Sequence, residues 1–170
     1  LRLQHNNVGD VIQETTLGLD GRPIDARRGY ATLSRQVDSD GRESAFHTFN
    51  SVGLPVPDEH GRYGRRSVYD ERGRATDLTN LGADDRPTSD EHGVAERRIT
   101  YGSNDGELTS RYFDAVGNPV PEGEYGCAVV ARKEPQDQRW TERRCLDGQE
   151  REAYSKQGWH LKRQVFGELG

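Results

Sequence analysis

Apolar and aromatic side chains return along this chain at a fixed interval of 32 residues. His5, Val37, Tyr69 and Tyr101 form one such set; Leu17, Phe49, Leu81 and Phe113 form a second. Polar punctuation keeps the same step. Gly21-Arg22-Pro23, Gly53-Leu54-Pro55, Asp85-Arg86-Pro87 and Gly117-Asn118-Pro119 each reach their proline six residues after a member of the second set. Gly29, Gly61 and Gly93 also hold the interval, whereas Gly126 arrives one residue late, which places an inserted residue in the fourth loop. Loops tolerate such insertions. A sustained period of this length predicts a repeat architecture, with both apolar sets as buried positions.

The residues between these markers predict strands. Val94 to Tyr101 typifies an incoming strand and Arg74 to Leu81 an outgoing one, lengths that suit β structure and are short for stable helices. Asp38-Ser39-Asp40-Gly41 and Tyr69-Asp70-Glu71-Arg72-Gly73 are turn sequences, because Asp bonds its own backbone and Gly accepts positive φ. A longer loop follows each outgoing strand, Gly82 to Gly93 in the third unit, and its proline keeps that segment out of a sheet interior. The predicted fold is all-β: tandem 32-residue two-stranded β-hairpin repeats forming an elongated twisted antiparallel array, with a folded-over sandwich as the alternative. Residues 1–170 read as a single repeat array, its units starting near 5, 37, 69, 101 and 133, with a partial unit near 154. In the degenerate fifth unit Cys145 falls 32 residues after Phe113 and takes the core frame without a proline. Tyr154-Ser155-Lys156-Gln157-Gly158 restarts the motif, with Phe166 standing to Tyr154 as Leu81 stands to Tyr69.

Composition narrows this picture. Hydrophobic residues make up 31% of the chain, so each unit buries little alone and gains its core from its neighbours. The 24 basic and 29 acidic residues nearly cancel, to a net charge of -5, and are interspersed. That excludes the high net charge of disordered chains and the basic stripe of nucleic-acid binders. No apolar run approaches the roughly 18 residues that mark a membrane-spanning helix, so no membrane insertion is expected. The absence of methionine and the start at Leu1 predict that the chain belongs to a larger polypeptide.

Cys127 and Cys145 have their midpoint at residue 136, inside the turn 134–138, so an antiparallel hairpin sets them opposite each other. Directly opposed Cβ atoms stand roughly 4.5–5.5 Å apart, within small adjustments of disulfide geometry. A disulfide is therefore predicted, with two reduced core thiols as the alternative. The bond implies an extracytoplasmic location, whether periplasmic, secreted or on the cell surface.

The sharpest candidate for chemistry is Asp58-Glu59-His60-Gly61, repeated as Asp90-Glu91-His92-Gly93, because carboxylates beside imidazole can bind metal or exchange protons. Its recurrence at the repeat interval points instead to a solvated loop ending in a structural glycine. Asp38, Asp40 and Gly41 resemble the start of a calcium loop, as do Asn104, Asp105 and Gly106, but the remaining ligands and the closing glutamate are missing. No nucleophile elbow or phosphate-cradling loop occurs, and His47 beside Phe46 and Phe49 reads as a sheet-face residue. No cofactor is implied. Four aromatic residues stand outside the register: Tyr63, Tyr125, Trp140 and Trp159. With an apolar body and a polar tip each, they are the candidates for a contact surface, while Tyr69 and Tyr101 are expected in the core.

The sequence YDERGR, followed by RYFDAVGNPV, resembles the tyrosine-aspartate (YD, or RHS) repeats of large bacterial surface and toxin proteins across Val37 to Val120. Gly29-Tyr30-Ala31 is more distantly similar to WG-type β repeats. The resemblance implies an extracytoplasmic bacterial interaction region without catalytic residues. The expected function is thus a noncatalytic binding or scaffold module that contacts a protein or a glycan. The alternatives are a metal-dependent or hydrolytic domain using the His60 and His92 loops, and a pure structural spacer or shell.

Overall fold

The computed structural model describes residues 1–102, 107–133 and 140–165, with Trp140 described in its backbone only. Every regular element among them is a strand. These are β1 (Arg2–His5), β2 (Val11–Thr15), β3 (Thr32–Val37), β4 (Glu43–Phe49), β5 (Gly64–Tyr69), β6 (Ala75–Leu81), β7 (Glu96–Tyr101), β8 (Glu107–Phe113), β9 (Val129–Lys133), β10 (Trp140–Leu146) and β11 (Leu161–Val165). The chain forms two compact units, Leu1–Glu91 and His92–Gly170. In each, every strand pairs antiparallel with its neighbours in sequence, and the sheet stays open.

Asp-led turns make these hairpins. In Asp38–Arg42, Asp38 N–H donates to the Arg42 carbonyl at 2.9 Å, and Gly41 N–H, at φ +77°, donates back to the Asp38 carbonyl at 3.1 Å. Asp38 Oδ1 accepts from the backbone N–H groups of Asp40 and Arg42, both at 2.9 Å, and Oδ2 accepts from Arg42 Nε at 2.7 Å. One carboxylate thus satisfies two backbone donors and a guanidinium, which locks the loop and sets the strand register. The same arrangement recurs at Asp58–Arg62, Asp70–Arg74 and Asp147–Arg151, and with asparagine as the second partner at Asp114–Asn118. Oxygen atoms that read as calcium ligands at Asp38 and Asp40 are therefore bonded to the turn's own backbone and to Arg42, whose Nη2 lies 2.7 Å from Asp40. The second calcium-like sequence, Asn104 to Gly106, lies outside the described residues.

These turns make stability depend on acid. The Arg42 backbone N–H holds the Asp38 carboxyl below its ordinary value, the Arg74 guanidinium does so for Asp70, and the Arg151 backbone N–H for Asp147. A carboxyl that titrates lower in the folded chain binds fewer protons there than in the unfolded chain. Its stabilisation is complete above the ordinary value of 3.8 and drains away as pH falls through the lower, folded one. Melting temperature is expected to fall steeply only below about pH 4. Asp38→Asn with Asp70→Asn should flatten that fall. A melting temperature declining evenly from neutral pH, unaffected by the two substitutions, would contradict this account.

The long loops carry structure that the sequence did not foretell. After each outgoing strand the chain reverses at once and touches the strand's own end, in the bridges Leu17↔Pro23, Phe49↔Pro55, Leu81↔Pro87, Phe113↔Pro119 and Leu146↔Glu152. The residue after each proline donates its N–H to the strand, as Val56 does to Thr48 at 3.1 Å and Thr88 to Asn80 at 3.0 Å. Proline stands at the one place in this rung where no donor is needed. A further turn then leads to the next strand, through Asp58–Arg62 in the second loop and Ser155–Trp159 in the last.

Three sequence expectations are corrected. Leu146, not Cys145, takes the place of Phe113, because the added residue lies in the turn Glu122–Cys127, where Gly126 N–H reaches back four residues to the Glu122 carbonyl instead of three. Everything after it moves by one position. Ser155–Trp159 is a loop turn ahead of β11 and matches Asp58–Arg62, so Tyr154 does not begin a new hairpin; Phe166 lies outside the described residues. The apolar sets are also less buried than expected. His5 is exposed and Val37, Tyr69 and Tyr101 are half-buried; in the second set only Leu81, at 1% exposure, is fully enclosed.

Small and polar residues fill most of the remaining interior: Ala31, Ala45, Ala95, Thr15, Thr48, Ser67 and Ser110 are all buried. The hydroxyls are satisfied where burial demands it, as when Thr48 Oγ1 donates to the Val56 carbonyl at 2.6 Å. Such a thin interior matches the low apolar content of the chain.

Candidate functional site

The disulfide is present. Cys127 and Cys145 are joined across 18 residues with Cα atoms 5.3 Å apart, though not by the predicted opposition. In the β9–β10 hairpin Cys145 faces Val130, and Cys127 lies two residues ahead of β9. The bond therefore ties a loop to a strand. Both cysteines are almost fully buried and pack with Val130 in a cluster flanked by Tyr112, Tyr125, Ala153 and Trp159.

Two of the four out-of-register aromatics meet at this cluster. Tyr125 and Trp159 stack edge to face with ring centroids 5.3 Å apart, and both are half-buried. Tyr63 belongs to the first unit, and the side chain of Trp140 lies outside the described residues. The structure adds what the sequence missed, a set of arginines. Alternation along the strands, together with the pairs Arg97↔Tyr112, Leu108↔Arg132, Ser110↔Val130 and Arg132↔Arg143, puts Arg97, Ser110, Tyr112, Arg132 and Arg143 on one sheet face. They line a groove of about 210 Å³ together with Tyr125, Glu122 and Glu124.

Charge is balanced differently here than on the matching face of the first unit. There Arg35 contacts Glu14 at 2.8 Å and Glu43 at 3.0 Å, and Arg65 stands 3.8 Å from Glu43. In the second unit Arg97 donates through Nε and Nη2 to the Ser110 hydroxyl, at 3.1 and 2.9 Å, with its guanidinium over the Tyr112 ring. Arg143 donates to the Tyr125 hydroxyl and lies 5.4 Å from that ring's centre. Their partners are neutral. Glu122 is buried and accepts from the backbone N–H groups of Glu124 and Tyr125, so it serves the turn. Burial raises the Tyr125 hydroxyl above its ordinary titration range, and a hydrogen bond to Glu124 raises it further, so it stays a neutral phenol between Arg143 and Glu124. Burial raises Tyr112 likewise.

The histidine loops carry different geometry. Asp58 is committed to its turn and to Arg62 Nη2 at 2.7 Å, leaving the exposed His60 with Glu59 at 3.8 Å. His92 rests against Gly123, in the space a β-carbon would fill. Among the described residues no three His, Cys, Asp or Glu side chains are grouped closely enough to hold a metal ion.

His47 proves to have a specific partner: its Nε2 lies 2.7 Å from Asp85 Oδ1. Gly64, directly across from His47 on β5, leaves room for the ring. Asp85 holds φ at +62° where Gly21, Gly53 and Gly117 stand in the corresponding turns, and Glu150 does the same at φ +62°. Glu150 in turn grips Arg111, with Oε1 2.6 Å from Nη2. In both cases the acid in place of the turn glycine reaches a basic side chain, His47 or Arg111, on a strand of the preceding repeat. Asp85 at a glycine position was legible in the sequence; Glu150, displaced by the added residue, and the two targets, 38 and 39 residues away, were not. Tyr63 closes the groove of about 350 Å³ beside the His47–Asp85 pair.

No family model matches the chain, and no curated protein matches it either.

Proposed function

We propose that the chain is a noncatalytic β-repeat binding or scaffold module of a secreted or cell-surface bacterial protein, akin to the tyrosine-aspartate repeats, and that it contacts a protein or glycan partner through the arginine–tyrosine face of the second unit. The observation that carries this reading is the state of Arg97 and Arg143: both are stacked on tyrosines and half-buried, and among the described residues their hydrogen bonds go to neutral hydroxyls. Arginine and tyrosine are the residues that dominate recognition surfaces, and guanidinium groups held by stacking lose little freedom on binding. The bond between Cys127 and Cys145 supports an oxidising, extracytoplasmic setting. Asp58, the aspartate of the first histidine loop, is engaged in its own turn and with Arg62, which weighs against that loop as a hydrolytic site.

The test is a panel of bacterial and host surface proteins and polysaccharides, probed with the 170-residue chain and with its Arg97→Gln/Arg143→Gln variant. Binding should weaken at least tenfold in the variant at unchanged melting temperature, and His60→Ala with His92→Ala should leave it intact. A partner whose binding ignores the two arginines but needs the histidines would overturn the reading.

A further inference from the structure

We infer that the groove between β7 and β10 of the second unit recognises a carboxylated sugar, a uronate residue within an acidic polysaccharide. The inference rests on the binding reading above and names its ligand. Each guanidinium offers five N–H donors in a fixed fork that matches a carboxylate. Arg97 turns two of its nitrogens to Ser110, and Arg143 one to Tyr125. Stacking on Tyr112 and Tyr125 fixes both planes, so donors beyond those contacts are already oriented when an anion arrives. Arg132, between them on β9, adds a third positive charge to the same lining.

The acids in the groove select between acidic ligands. Glu124 is exposed at the rim and Glu122 lies beneath it. A run of acidic side chains would set carboxylates, with no donor hydroxyls beside them, against these two carboxylates. A uronate carries one carboxylate per ring, and its hydroxyls donate to acceptors such as Glu124 and the tyrosine oxygens. The site also lies on a sheet face and not at a strand edge, so a peptide would gain none of the backbone pairing that strand addition gives. At about 210 Å³ the groove is smaller than a pocket for an isolated drug-sized ligand and suits a single ring of a longer chain.

Calorimetric titration of the full chain with tetramers of galacturonate and mannuronate, their methyl esters, and poly-glutamate tests this. The free uronates should bind, with affinity falling at least tenfold on esterification and again as ionic strength is raised. Arg97→Lys with Arg143→Lys keeps the charge but removes the fork, and should also cost at least tenfold. Esters binding as well as acids, poly-glutamate binding as tightly as uronate, or no uronate binding would each overturn the assignment. The ester comparison uses the unaltered protein and holds even where a variant folds poorly. If esters or poly-glutamate bind and the arginine changes weaken them, the uronate falls and the binding face stands. If no ligand of any class depends on Arg97 and Arg143, both fall.

Discussion

Reducing the Cys127–Cys145 bond is expected to destabilise the second unit by about 3 kcal/mol, the loss that the chain-entropy model assigns to a cross-link spanning a loop of this length. The two thiols would still fill their places beside Val130, so the loss comes mainly from the unfolded chain, which regains the freedom of the 18-residue loop. A unit of this size carries only a few kcal/mol of net stability. Removal of the bond therefore takes a large share of it, and the melting temperature should drop by on the order of 10 °C. Cys127→Ser with Cys145→Ser should match or exceed that drop, because two buried hydroxyls then need partners. Urea unfolding with and without reductant, followed by tryptophan fluorescence, reads the effect, since Trp159 packs against the cluster. Superimposable curves would show that the bond constrains nothing. The consequence also reaches the proposed site. Cys127 ends the turn that presents Tyr125, whose hydroxyl holds Arg143, so reduction should weaken any ligand that needs Arg143 before it unfolds the unit.

The parts of this structure that were legible in the sequence are those set by local chemistry. Asp-x-x-Gly turns fix hairpins within five residues, and such turns at Asp38 and Asp70 fold as their composition dictates. The late arrival of Gly126 was equally readable, since a slip in the glycine register has to be taken up in the turn that holds it. What that slip does downstream was not readable from spacing alone. Counting 32 residues from Phe113 lands on Cys145, while the ladder, shifted by the added residue, puts Leu146 there. The disulfide was thus anticipated, but from a register that the fold does not use. The candidate site was half visible. Tyr125 and Trp159 stood out as aromatics off the register, yet their setting depends on which strands lie side by side. Arg97, Arg132 and Arg143 were invisible for the same reason. In a chain with arginine scattered throughout, only cross-strand pairing shows that three of them share a face, and only the contacts show that Arg97 and Arg143, unlike Arg35, form no ion pair among the described residues.

Leu81→Ala is expected to cost the first unit about 3 kcal/mol, within the range for emptying a fully enclosed leucine site. Leu81 faces Gly64 across the β5–β6 ladder, where a β-carbon would meet the Phe46 carbonyl and the His47 ring. Its carbonyl accepts from Tyr63 N–H at 2.9 Å, and its backbone bridges Pro87, so the chain around it is held and has little freedom to collapse into a cavity. Leu81→Val should cost about 1 kcal/mol, because one methylene is lost and the β-branched replacement suits a strand. Leu17→Ala and Phe49→Ala, at corresponding but half-buried positions, should each cost less than Leu81→Ala relative to the area they lose, since solvent already reaches their sites. Filling the new cavity from the opposite strand should fail. A β-carbon at Gly64 would run into the carbonyl oxygen of Phe46, so Leu81→Ala with Gly64→Ala should be less stable than Leu81→Ala alone. Chemical unfolding of the four single variants and the double variant gives the whole series. Equal losses at Leu17, Phe49 and Leu81 would mean that the apolar positions share the load evenly. A deficit concentrated at Leu81, deepened by the Gly64 change, would mean that the first unit is held at the row where Leu81, Gly64 and His47 lie side by side.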